Sequence, residues 1–132
     1  MSGSLVLDSE GLAKAVQRDR EVREWLTAAR EADLPVITSA AVLVDVIHPR
    51  INDAALKWAL SRLRVEPVTQ AFAHSAAALL RTAGLHGHTY AIDAILCATA
   101  LAQPGRVTIL TSDVEDIELL TAEHARVIAE KV

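Results

Sequence analysis

Aromatic residues are nearly absent from this chain. They make up 3% of its 132 residues, so Ala, Val, Leu and Ile must build the core. There is one cysteine, Cys97, set in an apolar stretch. A lone thiol excludes an internal disulfide and a zinc–thiolate cage, and its apolar setting disfavours a thiol nucleophile. No apolar run approaches the roughly 18 residues that cross a bilayer. The start, Met1-Ser2-Gly3-Ser4, leads straight into Leu5-Val6-Leu7 without the basic head of a signal peptide. These absences together point to a reducing cytoplasm and away from membranes. The five glycines are scattered, which excludes a glycine-rich phosphate loop.

The formal charge of −4 argues against nucleic-acid binding by bulk basicity. Its distribution is more informative. Setting aside Asp8, Asp45, Asp93, Asp113 and Asp116, the 17 acids fall to 12 against 13 basic residues. The acidity therefore amounts to one candidate cluster, which metal cations would offset.

What is present is an alternation of strands and helices. Leu5-Val6-Leu7 reads as a first strand ending at Asp8-Ser9, followed by a short helix from Glu10 to Arg18. Val22, Trp25, Leu26 and Ala29 mark one face of a second helix. Leu34-Pro35-Val36-Ile37 is a second strand, and Thr38 or Ser39 caps a third helix, Ala40 to Ile47, ended by Pro49. Asn52 to Leu63 is a fourth helix with two apolar stripes, one for the core and one for a partner. Val65 to Val68 is a third strand. Phe72, Ala76, Leu79, Leu80 and Ala83 form an amphipathic helix closed by Gly84. Leu85 to Thr89 reads as a polar connection, and Tyr90 to Ala102 as the buried central helix. Val107-Thr108-Ile109-Leu110 is a buried strand, a helix resumes at Val114, and Val127-Ile128-Ala129 adds an edge strand. With no repeat or linker, residues 1–132 form one domain with a central parallel α/β sheet.

Five aspartates occupy unusual places. Asp93 is the only charge in Ala91-Ile92-Asp93-Ala94-Ile95-Leu96-Cys97-Ala98-Thr99-Ala100-Leu101, and a charge in such company needs a partner. Its ordinary reading is a dipole-stabilising acid in the first turn. Asp45 repeats the pattern in Ala40-Ala41-Val42-Leu43-Val44-Asp45-Val46-Ile47, with an exposed polar face as the ordinary reading. Asp8 ends the first strand and is equally an N-cap. Asp113 and Asp116, in Thr111-Ser112-Asp113-Val114-Glu115-Asp116, fit a capping arrangement when taken singly. Taken together, strand-end and helix acids converge at the C-terminal edge of a parallel sheet if those strands are neighbours, as sites in open α/β sheets do. Crowded carboxylates repel unless hard cations neutralise them. Mg²⁺ or Mn²⁺ suits all-oxygen ligands, and such a site serves phosphodiester cleavage.

Other chemistries are weaker. His86-Gly87-His88 is a poor metal signal and reads as a turn positioning the central helix. A phosphorylated receiver module wants an acidic pair after strand one and a lysine after a late strand, and neither is here.

The sequence of motifs Leu5-Val6-Leu7-Asp8, Thr38-Ser39-Ala40-Ala41-Val42-Leu43-Val44-Asp45, Ala91-Ile92-Asp93-Ala94-Ile95-Leu96 and Leu110-Thr111-Ser112-Asp113-Val114-Glu115-Asp116 resembles a PIN domain. More narrowly, it resembles the VapC-type toxins of bacterial toxin–antitoxin pairs, over nearly the whole chain. The resemblance implies a three-layer α/β/α PIN-like fold. It implies a Mg²⁺- or Mn²⁺-dependent endoribonuclease that hydrolyses RNA with a metal-activated water, often dimeric, and restrained by a small cognate antitoxin. The implied metal ligands are Asp8, Asp93, Asp113 and Asp116. Asp45 stands where the family has Glu; one methylene shorter, it would hold a metal's water. Ser9, Thr111 and Ser112 would orient carboxylates or phosphate, and Arg50 would contact RNA phosphate. Two other functions fit the same residues: a PIN-like binding protein with little or no catalysis, and another metal-dependent nuclease or a phosphatase.

Overall fold

The computed structural model describes residues Gly3–Val132. Met1 and Ser2, part of the start that lacks a basic head, lie outside the described residues. A five-stranded sheet with the order β3-β2-β1-β4-β5 forms the centre, and every pairing in it is parallel. Its strands are β1 (Gly3–Leu7), β2 (Val36–Ser39), β3 (Arg64–Glu66), β4 (Arg106–Thr111) and β5 (Val127–Lys131). Burial on both faces explains the apolar runs: Val6, Leu7, Ile37, Ile109 and Leu110 are fully buried.

Among the described residues, seven helices make the crossovers: α1 (Ser9–Val16), α2 (Arg20–Glu31), α3 (Ala40–Val46), α4 (Asp53–Ser61), α5 (Gln70–Ala83), α6 (Gly87–Leu101) and α7 (Val114–Leu120). Helix α1 packs on β1 and β4 with α2, α3 and α4 around it, while α6 packs on β2 and β4 beside α5 and α7. The expected three-layer α/β arrangement is therefore the observed one. Among the described residues, no helix is long and apolar enough to cross a membrane.

Chain order fixes where a site belongs. From β1 the chain moves outward to β2 and β3, then returns to the far side of β1 for β4 and continues to β5. The direction reverses between β1 and β4, and ligands in open α/β sheets bind beyond the carboxyl ends at such a switch point. Their register pairs Leu7 with Leu110, so Asp8 and Thr111 follow side by side.

Three expectations need correction. The second strand runs Val36–Ser39 and the third Arg64–Glu66, each displaced from the apolar run that suggested it. The pairing explains this, since Ile37, Thr38 and Ser39 align with Arg64, Val65 and Glu66. The connection read over Leu85–Thr89 is helical from Gly87, with a break at Tyr90 (φ −113°, ψ 15°) that joins two helical pieces. On α4, the stripe of Leu56, Leu60 and Leu63 is the one turned to the core. Leu56 is buried, and Leu60 and Leu63 pack partly buried against the core. The outward surface carries Lys57, Ser61 and Arg62 together with Trp58, which is 39% exposed.

Candidate functional site

Asp8 leaves β1 and enters α1. Its backbone N–H donates to the Leu110 carbonyl (3.2 Å), and its carboxylate accepts from the Gly11 N–H at 2.8 Å. The capping reading is thus correct, and it occupies one oxygen, leaving lone pairs for another partner. Gly11 is required here because a Cβ would lie 2.9 Å from the Leu110 carbonyl oxygen. This close approach seats α1 against β1 and β4 just below the strand ends. From the neighbouring strand, the Thr38 hydroxyl donates to the Leu7 carbonyl at 2.7 Å. Thr38 therefore ties β2 to β1, and Ser39 is the residue that caps α3.

Asp113 precedes α7 as its N-cap residue, but its side chain makes no capping hydrogen bond. Instead the Thr111 hydroxyl accepts from the Asp113 N–H at 2.9 Å. For Asp113 the capping explanation fails, and the carboxylate is left exposed and available. Asp116 is half-buried in the first turn of α7.

Asp93 lies half-buried on α6, beyond the break at Tyr90 and just before the fully buried Ala94. One cleft of ≈ 500 Å³ joins these elements; its lining includes Asp8, Ser9, Asp45, Asp93, Ser112 and Asp113. Asp45 reaches it from the exposed side of α3. Thr111 is buried beneath the strand ends rather than in the lining. Arg50 stands apart, in a different cleft with His48 and Asn52. Glu10, His88 and Thr89 also line the acidic cleft, and sequence reasoning did not select them. For His88 and Thr89 the missing signal was the helical turn before Tyr90, which turns a stretch read as a loop toward Asp93.

The electrostatics bind the five acids into one system. Burial, then the charges of Asp8, Asp113, Asp116 and Asp45, push Asp93 up to about 6. Asp8 is also raised, chiefly by burial and further by Asp113, while the Thr111 hydroxyl and the Gly11 and Glu10 N–H groups act against the rise. Cys97 is raised by burial first and then by Asp93 and Asp8, so its thiol is inert.

Among the described residues, no three His, Cys, Asp or Glu side chains close into a preformed cage for one metal ion. The donor set nevertheless fits a hard divalent cation. The carboxylates are oxygen donors in excess of any facing positive charge in the lining, and Mg²⁺ uses one or two carboxylates plus waters rather than an all-protein cage. An open cluster is what like charges adopt without a counter-ion.

No family model and no curated protein matches the chain. Solved structures do share its fold. One is VapBC2 from Rickettsia felis bound to a DNA fragment from their promoter: 17% identity, TM-score 0.72, covering 97% of this chain and 98% of that one. A toxin–antitoxin complex from Klebsiella pneumoniae matches at 22% identity and TM-score 0.70, over 98% and 100% of the two chains. FitAcB from Neisseria gonorrhoeae matches at 18% identity and TM-score 0.63, over 95% of each. The architecture is thus the PIN-like one that the resemblance implied.

Proposed function

We propose that this chain is a Mg²⁺- or Mn²⁺-dependent endoribonuclease, the toxin of a toxin–antitoxin pair. The observation that carries the proposal is that Asp8, Asp45, Asp93 and Asp113 line one cleft at the switch point of the sheet. The fold shared with toxin–antitoxin structures supports the biological role.

Asp8 and Asp93 would be the principal holders of the cation, with Asp113 and Asp116 flanking it and Asp45 placing a water at the rim. When bound, the cation supplies water activation and charge compensation for phosphodiester hydrolysis. The chain's own part is positional. Gly11 N–H orients one oxygen of Asp8, Thr111 holds the Asp113 backbone, and Ser9 and Ser112 offer hydroxyls to carboxylate or phosphate. Single-stranded RNA is the fitting substrate, because the scissile phosphate must bend into the cleft and a duplex resists bending. Arg50, which lines a separate cleft with His48 and Asn52, would contact a further phosphate of the same strand.

A small antitoxin would insert a segment into the acidic cleft, where an arginine matches carboxylates bidentately. A homodimer would form through α3 and its end, where Val44 (78% exposed) and Ile47 (56%) leave apolar surface in solvent.

Induction of the chain in a bacterial host, wild type against Asp93→Asn, followed by mapping of RNA ends, tests the proposal. Wild type should generate new ends and Asp93→Asn should not. Purified protein should cleave single-stranded RNA with Mg²⁺ or Mn²⁺ and stop with chelator. RNA bound but uncut in either metal would instead identify a PIN-like binding protein.

A further inference from the structure

A second cleft, ≈ 660 Å³, opens against the starts of β2 and β3, between α2 and α4. Because every strand is parallel, this is the end of the sheet opposite Asp8 and Asp113. The five residues of β1 at roughly 3.3 Å each separate the two ends by about 16 Å. The charge is reversed as well. Arg23, Arg30, Arg62 and Arg64 line this cleft, and Asp33 is the one acid in its lining.

The four guanidiniums are not equivalent. Arg64 is engaged, its Nε 2.7 Å from Glu66 and a terminal nitrogen donating to Gln103 Oε1 at 3.0 Å. Arg62 stands over the Trp58 ring, 5.0 Å from its centroid, and Arg18 approaches the same ring at 5.5 Å. Among the described residues, Arg23, Arg30 and Arg62 have no carboxylate within 4.0 Å. Three unpaired guanidiniums therefore face one cavity in a protein whose formal charge is −4.

We propose that this cleft binds a compact polyphosphate of the nucleotide class, free or at the end of an RNA strand. Each guanidinium offers about five N–H donors in a planar fork, and phosphate oxygens accept such forks bidentately. A single carboxylate satisfies one fork, whereas a phosphate chain has enough oxygens for three. Leu26, Leu34 and Leu63 supply apolar wall for a base or sugar. The volume lies within the roughly 300–1,000 Å³ of small-ligand pockets. The site is independent of the proposed nuclease, because it uses none of the five aspartates.

Trp58 provides the reporter. The chain has two tryptophans, so Trp25→Phe leaves Trp58 as the only tryptophan, and calorimetry on the unmodified chain repeats each measurement without that change. The probes are ATP, a short single-stranded oligoribonucleotide bearing a 5′-triphosphate and a glutamate-rich peptide, all in chelator so that nothing is hydrolysed. ATP or the oligoribonucleotide should give saturable binding, and Arg23→Gln with Arg30→Gln should weaken it by about 10-fold or more. Binding of ATP alone identifies a free nucleotide as the source, and binding of the oligoribonucleotide identifies a strand. Asp93→Asn should bind as wild type does, which separates this site from the acidic one. No saturable binding of either probe, undiminished affinity in the double arginine variant, or equal affinity for the glutamate-rich peptide would overturn the proposal.

Discussion

The buried hydroxyl of Thr111 accepts from the Asp113 N–H at 2.9 Å while also stabilising the ionised form of Asp8. One side chain at the end of β4 thus serves two acids of the cluster. Thr111→Val keeps the shape and removes both interactions. It should cost about 1 kcal/mol, the net worth of an ordinary hydrogen bond, and weaken Mn²⁺ binding. Thr111→Ser should restore both; denaturant melts and a Mn²⁺ titration give the readings. Equal Mn²⁺ affinity in all three proteins would show that Thr111 does not position the acids.

Asp8 caps α1 and, in the proposed function, also holds the cation; two substitutions separate these roles. Asparagine caps a helix about as well as aspartate, while alanine forfeits about 1 kcal/mol. Asp8→Asn should therefore fold with near wild-type stability and lose nearly all RNA cleavage, whereas Asp8→Ala should lose both. Retained cleavage in Asp8→Asn would leave Asp8 as a cap alone.

Asp93 makes stability depend on pH in the metal-free protein. Its folded value of about 6 exceeds the ordinary aspartate value of 3.8, so the native state binds the proton more tightly than the unfolded chain. Its contribution is fully favourable below 3.8 and is lost as pH rises through about 6. Because Asp93 is only half-buried, solvent screening reduces the effect to the order of 1 kcal/mol. Asp93→Asn should raise the metal-free melting temperature at pH 7 by roughly 2–8 °C and flatten its slope between pH 4 and pH 6. A marked fall in stability would reveal a structural role for the carboxylate.

Asp45 reaches the cleft from the exposed side of α3 with a short side chain. Asp45→Glu adds one methylene toward the other acids. Cleavage should be unchanged or faster, with less Mg²⁺ needed for half-maximal rate. A higher Mg²⁺ requirement would mean that the cleft is shaped for the shorter acid.

Gly11 tests the seating of α1. Gly11→Ala drives a methyl toward the Leu110 carbonyl oxygen at 2.9 Å, which is backbone and cannot swing aside. The helix must shift, at a cost of about 1–3 kcal/mol, and Asp8 shifts with it. Thermal melting and cleavage should both fall; a protein unchanged in either would mean that α1 relaxes freely.

Much of this was determined by the sequence alone. Apolar β-branched runs such as Val107–Leu110 make strands wherever they are buried, and the periodicity of Val22, Trp25, Leu26 and Ala29 makes a helix, because both are local consequences of side-chain spacing. Asp93 stood out because one charge in an apolar helix carries its own anomaly. What only the tertiary structure decided is relational. Whether Asp113 spends its carboxylate on a cap depended on the position of Thr111, and the fate of the second stripe on α4 depended on how that helix rolls onto the core. The Arg23, Arg30 and Arg62 cleft was illegible for the same reason. Those arginines sit on α2 and just past the end of α4, each ordinary in its own segment, and they share a cavity only because β2 and β3 start side by side.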